Sequence, residues 1–226
     1  MYYLIQNYIL LIMKGYVGAL LELILFFTVY GTIVNNSSLS TIPKIVCYWL
    51  GFTVLTGLWE IVYLCSRKSV KATAENLIQT KEHVWTNNYD VSMLFPWNFS
   101  KLFYSEYGAW ADREYMDYND YWSFTVEGSH CTICGVFSLC ALVCMLCGNQ
   151  VGFLMTLTLA MGSQAMNSIL YLEEYLTQCY NQSSVNYNSD AFPCGKYLMK
   201  RVFMWINILW ILMPTYALCV YLTREL

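Results

Sequence analysis

The sequence predicts an all-α membrane protein that folds as a bundle of five transmembrane helices. Of its 226 residues, 58% are hydrophobic and only 12% are charged, whereas a soluble domain carries about 25% charged residues. Five mostly apolar stretches follow one another along the chain, each near the roughly 20 residues that a helix needs to cross a bilayer. We therefore expect a single membrane domain over residues 1–226 that is surrounded by lipid.

The five predicted spans cover residues 15–34, 45–65, 121–147, 151–172 and 202–222. The first reads GYVGALLELILFFTVYGTIV and the second IVCYWLGFTVLTGLWEIVYLC. Long polar loops are predicted over 66–120 and 173–200. Because only Gly148, Asn149 and Gln150 separate the third span from the fourth, these two spans should form a tight antiparallel hairpin.

The orientation in the membrane stays open. Arg67 and Lys68 directly after the second span favour a cytosolic position for the long loops. Glycosylation sequons at Asn98 and Asn181 in the same loops point to the opposite face, but sequons at Asn35 and Asn36 lie on the other side, so the sequons decide nothing. A disulfide between Cys179 and Cys194, both in the second polar loop, is equally open because it would need an oxidising compartment.

The composition also argues against several classes of partner. The net charge is -3 and the 12 basic residues are scattered, so we expect no nucleic acid partner. Cys131 and Cys134 form a C-x-x-C motif without a second pair or a histidine cluster, and packing explains them better than a metal does. We expect neither a metal nor another cofactor.

Three glutamates lie inside the predicted spans, namely Glu22, Glu60 and Glu127. A charge at the bilayer centre costs roughly 2.5–3.5 kcal/mol on insertion scales, and no Lys or Arg lies inside any predicted span. These carboxylates must therefore face one another, a cavity or a polar partner, or be protonated. Glu22 stands alone, and we interpret it as a structural, interhelical hydrogen-bonding group.

Glu127 and His130 form the sharpest candidate pair, since positions i and i+3 share one face of a helix. The alternative is a helix-entry cluster at the water interface, because the preceding sequence is polar. Thr56 and Glu60, at i and i+4, also share a face. For Glu60 the alternative is an interfacial carboxylate that reaches for water.

Asn207 and Trp210 repeat the i, i+3 spacing in the fifth span. A buried Asn can simply join two helices, but a Trp in the middle of a span is not part of an interfacial belt. Together these groups predict an apolar cavity that holds carboxylates, an imidazole, an amide and an indole. Such a cavity suits a cationic amphiphile or an apolar substrate that becomes cationic during a reaction.

The stretch EYGAWADREYMDYNDYWSFTVEGSHCTICGVFSL resembles the central signature of the emopamil-binding protein family, which contains the sterol Δ8,Δ7-isomerases and their isomerase-like paralogues. The matching positions there are Glu106, Tyr107, Asp112, Asp120, Glu127 and Gly135. Further matches are Asn207, Trp210 and Pro214 in NILWILMP, Gln164 and Tyr171 in the fourth span, and Glu60 in the second. The resemblance extends over most of residues 45–222.

The resemblance implies a five-helix, multi-pass bundle of the endoplasmic reticulum membrane, without a cofactor, which encloses a sterol cavity that also binds cationic amphiphilic drugs. A homodimer is also possible. The implied reaction adds a proton at C9 of the sterol and removes one at C7. Catalytic residues would be Glu60, Glu127 and His130. Substrate-binding residues would be Asn207, Trp210, Thr56, Asp112, Tyr107 and Gln164.

The sequence departs from this signature in three places. Thr56 stands where the family has a His, Val136 stands where the isomerases have Pro, and about two extra residues separate Glu106 from Glu127. These departures leave two hypotheses, an active isomerase in which His130 replaces the missing base, and an isomerase-like protein that binds sterols or cationic amphiphiles without turnover. A small transporter or channel subunit is a weaker third, since the paired broken helices of a transport site are missing.

Overall fold

The structure, a computed structural model, describes residues 12–116, 121–180 and 202–225. The side chains of residues 126–127, 178–180, 202–204 and 222–225 lie outside this description. Six α-helices account for most of it: α1 Gly15–Asn35, α2 Lys44–Thr80, α3 Pro96–Trp110, α4 Ser129–Leu146, α5 Gln150–Tyr180 and α6 Val202–Glu225. A π-helix over Trp122–Gly128 runs directly into α4.

Three of these helical segments are long and apolar enough to cross a membrane. They are Gly15–Asn35, Lys44–Thr80 and the joined segment Trp122–Leu146. The apolar part of α6, Trp205–Tyr221, is shorter. All five predicted spans lie in helices where the structure describes them, so the all-α prediction is confirmed and the protein has the character of a helical membrane protein.

The predicted polar loop over 66–120 is largely helical. After its apolar half, α2 continues to Thr80 because Val70, Ala74 and Leu77 repeat at helical spacing and are buried. The helix α3 begins with Pro96 at its first turn, a position that proline favours. Likewise α5 runs to Tyr180, well into the second loop predicted over 173–200.

The hairpin between α4 and α5 is confirmed. Cys147–Asn149 separate the two helices, and Gly148 has a φ of 72°, a left-handed conformation that glycine adopts without strain. The Asn149 amide N–H donates to the Cys144 carbonyl at 2.8 Å. The Asn149 side chain in turn accepts from the Gly152 N–H at 2.9 Å, which caps the start of α5.

Helix α2 lies at the centre of the bundle. It packs against α3 on one side and α4 on another, and α4, α5 and α6 then pack in succession. At one end of the bundle, the α1–α2 turn contacts the end of α4, where the Ser38 hydroxyl donates to the Met145 carbonyl at 3.3 Å. At the other end, β1 (Met13–Lys14) pairs antiparallel with β2 (Asn88–Tyr89), and α3 covers this end.

The outward faces of several helices are apolar. On α5 the exposed side chains include Val151, Met155, Leu159, Met166 and Ile169. In water, exposed apolar surface of this extent is unfavourable, whereas lipid tails would cover it without cost. The interior, by contrast, contains buried glutamates and encloses a cavity.

Candidate functional site

A cavity of about 760 Å³ opens inside the bundle, bounded by residues of all six helices. Binding sites for drug-sized ligands have volumes of roughly 300–1,000 Å³. Of the 27 described residues that line it, eleven are Phe, Trp or Tyr, and none is Lys or Arg. The wall is thus rich in aromatic side chains, and its ionisable groups are acidic side chains, an imidazole, tyrosines and thiols.

Most of the predicted site residues come together at this cavity. Its lining includes Thr56, Glu60, Tyr107, His130, Gln164, Asn207 and Trp210. The i, i+4 pair of α2 and the i, i+3 pair of α6 therefore face the same space, as their spacing predicted. Glu127 has its backbone in the π-helix Trp122–Gly128, but its side chain is outside the described residues.

Glu60 is the most deeply buried carboxylate of the wall, with only 4% of its surface exposed. The Tyr104 hydroxyl of α3 donates a hydrogen bond to its Oε1 atom. Among the described residues its Oε2 atom has no partner. A buried carboxylate oxygen without a donor is costly. A proton or a donor group of a ligand at Oε2 would remove this cost.

Thr56 lies one turn before Glu60 and carries no basic group. Its hydroxyl donates to the Thr53 carbonyl at 3.2 Å, a local bond that is common for Thr inside a helix. His130 at the start of α4 is the imidazole of the cavity wall. It is partly buried, and its Nδ1 atom lies 3.5 Å from the Cys134 Sγ atom.

A close crossing of α2 and α4 brings Glu60 and His130 to the same cavity. A Cβ atom built on Gly57 would lie 2.9 Å from the Gly135 Cα atom, and one built on Gly135 would lie 3.0 Å from the Gly57 Cα atom. Only glycine at both positions allows the two backbones this approach. Glu60 follows Gly57 by three residues, and His130 precedes Gly135 by five.

Both polar atoms of the Gln164 side chain bond to other residues of the cavity wall and its surroundings. Its Oε1 atom accepts from the Trp49 indole N–H at 2.8 Å, and its Nε2 atom donates to the Thr53 hydroxyl at 3.3 Å. The Trp49 ring in turn packs against Trp210 with centroids 4.9 Å apart. Gln164, which the resemblance assigned to substrate binding, therefore orients Trp210 through Trp49.

Asp112 does not line the cavity and acts through a tyrosine. It is fully buried and accepts from the Tyr171 hydroxyl at 3.1 Å. The Tyr171 hydroxyl also lies 2.6 Å from that of Tyr107 and 3.0 Å from that of Tyr175. This cluster joins α3 to α5, and its members Tyr107 and Tyr171 line the cavity.

Two acidic groups of the wall received no catalytic role from the sequence. Glu22, interpreted as an isolated interhelical group, is 6% exposed and lines the cavity from α1. Glu106, which the resemblance only matched, also lines it. Its Oε1 atom lies 2.7 Å from the His83 Nδ1 atom, and its Oε2 atom accepts from the Val84 N–H at 2.8 Å. His83 has no signal of its own in the sequence.

The cysteines of the site are thiols. Cys131 and Cys134 both line the cavity, and no disulfide joins them. Within the described ranges, no group of three or more His, Cys, Asp or Glu side chains is arranged to hold a metal ion. Cys194 and the side chain of Cys179 lie outside the described residues, so their pairing stays open.

Comparison of the chain with models of protein families, with curated proteins and with solved structures finds no match.

Proposed function

We propose that the protein is a sterol Δ8,Δ7-isomerase of the endoplasmic reticulum membrane that works without a cofactor. The observation that carries this proposal is the cavity itself. It is large, rich in aromatic side chains and lined by Glu22, Glu60, Glu106 and His130, while its described lining includes no Lys or Arg. Such a site favours an apolar molecule that develops positive charge.

The chemistry follows from these groups. Moving a ring double bond from C8–C9 to C7–C8 adds a proton at C9, which leaves a carbocation, and then removes a proton from C7. Glu60, with its unpartnered Oε2 atom, is suited to exchange one of these protons. His130 and Glu127 are the candidates for the second. The ring of Trp210 and the carboxylates would stabilise the cation.

The proposal includes a five-span topology. It is supported by α5 and α6, which contain the fourth and fifth predicted spans and carry apolar residues on their outward faces, such as Leu159 and Leu209. A sterol would enter from the surrounding lipid, and cationic amphiphilic drugs would compete for the same cavity. Assembly as a homodimer stays a prediction.

The test is complementation of a yeast strain that lacks its own sterol Δ8,Δ7-isomerase. We expect the wild-type chain to restore Δ7 sterols, measured by mass spectrometry. Glu60→Gln should lower the rate of Δ7-sterol formation by a factor of about 10²–10⁴, the usual contribution of a general acid or base. The matched control is Glu75→Gln on the same helix, because Glu75 is half-exposed and only pairs with Lys71 at 3.9 Å.

One result would overturn the proposed function, and another would overturn only the role of Glu60. One is persistence of Δ8 sterols in cells that make the wild-type protein stably. The other is full activity of Glu60→Gln, which would remove Glu60 from the mechanism. In either case the protein level must match that of the Glu75→Gln control.

The second candidate function is binding of sterols or cationic amphiphiles without turnover. Thr56 favours it, because a hydroxyl that donates to the Thr53 carbonyl supplies no base one turn from Glu60. Under this hypothesis Δ8 sterols persist in the yeast strain, yet the purified protein binds a radiolabelled tertiary amine. We expect Trp210→Ala to weaken binding of that amine more than binding of a neutral sterol.

A further inference from the structure

The cavity has one carboxylate that is connected to the protein surface. Glu106 has 10% of its side chain exposed and lines the cavity, while its partner His83 has 48% of its side chain exposed. The His83 Nδ1 atom lies 2.7 Å from the Glu106 Oε1 atom. An ionisable pair therefore bridges the wall, with the imidazole facing outward and the carboxylate facing the cavity.

We propose that His83 and Glu106 form a proton relay between water and the cavity. A proton from water enters at the Nε2 atom of His83, and the proton on Nδ1 moves to the Oε1 atom of Glu106. The imidazole is again neutral, and the protonated Glu106 delivers its proton to the cavity. Rotation of the ring then exposes Nδ1 to solvent, where Nε2 releases a proton and Nδ1 takes one up, so the first tautomer is restored and one proton enters for each proton delivered.

The surroundings hold the pair in this geometry. The His83 ring packs on Trp110 with centroids 4.8 Å apart. The Trp110 indole N–H donates to the Glu82 carbonyl at 3.2 Å, which fixes the segment that carries His83. The Val84 N–H occupies the Oε2 atom of Glu106 at 2.8 Å, so Oε1 is the oxygen left to exchange a proton with the imidazole.

The ionisable groups near the pair include Glu82 and Tyr89. Burial raises the pKa of Tyr89, and the negative charges of Glu106 and Glu82 raise it further, so Tyr89 stays neutral at physiological pH. The Glu82 carboxylate accepts from the Asn87 side chain at 3.2 Å on the exposed surface. Neither group connects the cavity to water.

The role of the relay depends on the proposed isomerase function, because the relay would exchange protons for that reaction. Isomerisation leaves one catalytic group without its proton and another with an extra one, so both must be reset before the next turnover. Glu22, Glu60 and His130 lie on segments that are long and apolar enough to span a membrane. A surface imidazole coupled to a cavity carboxylate would supply the exchange that they lack.

The test measures protonation of the buried carboxylates in the absence of sterol. A negative result therefore concerns the relay and not the proposed isomerase function. The full chain in phosphatidylcholine nanodiscs is brought rapidly to lower pH, and infrared spectroscopy follows the carbonyl band of buried carboxylic acids. We expect His83→Gln to slow this protonation by about tenfold or more. A glutamine amide can still donate to Glu106 but cannot carry a proton. Glu106→Gln, which keeps an acceptor for the Val84 N–H, should slow it similarly.

Free imidazole distinguishes a relay from a structural contact. We expect His83→Ala to be slow and to recover most of its rate when imidazole is added to the buffer. The control is Glu82→Gln, which removes an exposed carboxylate from the same segment and should leave the rate unchanged. Wild-type rates in both His83→Gln and Glu106→Gln, or no recovery of a folded His83→Ala with imidazole, would overturn the relay.

Discussion

Tyr104 and Glu60 show how single residues set the chemistry of the cavity. The Tyr104 hydroxyl donates to one oxygen of a carboxylate whose other oxygen has no described partner. Burial and the neighbouring Glu60 raise the pKa of Tyr104 well above its usual range, so the hydroxyl stays protonated and donates at any physiological pH. We expect Tyr104→Phe to lower the free energy of unfolding by about 1.5–3 kcal/mol, the value of a hydrogen bond to a charged group.

The measurement is thermal unfolding of the purified protein in detergent, followed by tryptophan fluorescence. Tyr16→Phe is the matched control, since 60% of the Tyr16 surface is exposed on α1. An equal effect of the two substitutions would show that the Tyr104 bond contributes nothing specific. Tyr104→Phe should also reduce Δ7-sterol formation in the yeast assay, because Glu60 loses the group that orients it.

Several residues of the cavity could be predicted from their spacing, and others could not. Spacing within one helix places Thr56 with Glu60 on one face, and the structure agrees. The bond between His83 and Glu106 joins residues 23 positions apart on different segments. No periodic pattern reports such a contact, because it depends on how the segment before α3 folds back over that helix.

At the scale of helices, the crossing of α2 and α4 determines where the site forms. Gly57 and Gly135 meet there, and a Cβ atom on either would also lie 3.3 Å from a carbonyl oxygen of the other helix. Backbone atoms cannot move aside as a flexible side chain can. We expect Gly57→Ala to push the helices apart and to lower the free energy of unfolding by about 1–3 kcal/mol.

Gly162→Ala is the control for this prediction, since a Cβ atom there meets nothing within 4 Å. Alanine favours a helix over glycine by roughly 1 kcal/mol, so this control should be neutral or stabilising. Both variants are compared by thermal unfolding and by Δ7-sterol formation. If Gly57→Ala proved as stable and as active as Gly162→Ala, the close crossing would not be what positions Glu60 and His130.

The helices themselves were predictable to different degrees. Apolar length identifies α1, the first half of α2 and α4 without ambiguity. The α3 helix, Pro96–Trp110, was missed because its sequence mixes aromatic and polar residues and it lies within a long polar segment. Its tertiary contacts with α2 stabilise it: Phe99 and Tyr104 are buried there beside Trp59 and Tyr63. Such packing energy is invisible to local sequence patterns.

At the scale of the whole molecule, the two ends of the bundle predict a membrane topology. The α1–α2 turn and the α4–α5 hairpin share one end, where Ser38 bonds to Met145. The end of α5 lies at the opposite end, because Tyr171 bonds to Asp112 and Tyr107 beside α3. If α5 crosses the bilayer, the hairpin and residues 181–201 must lie on opposite sides of the membrane.

This expectation is tested by inserting a short epitope tag either at Gly148 or within residues 181–201 and digesting sealed microsomes with protease. Five spans predict that only one of the two tags is degraded. If α1, α2 and α4 alone crossed the membrane, both tags would come after the last span and would lie on the same side. The protease would then degrade both tags or neither. A tag at Asn87, beside the pairing of β1 with β2, is the control. It should behave like the tag within 181–201, because α2, α4 and α5 all have an end at that side of the bundle.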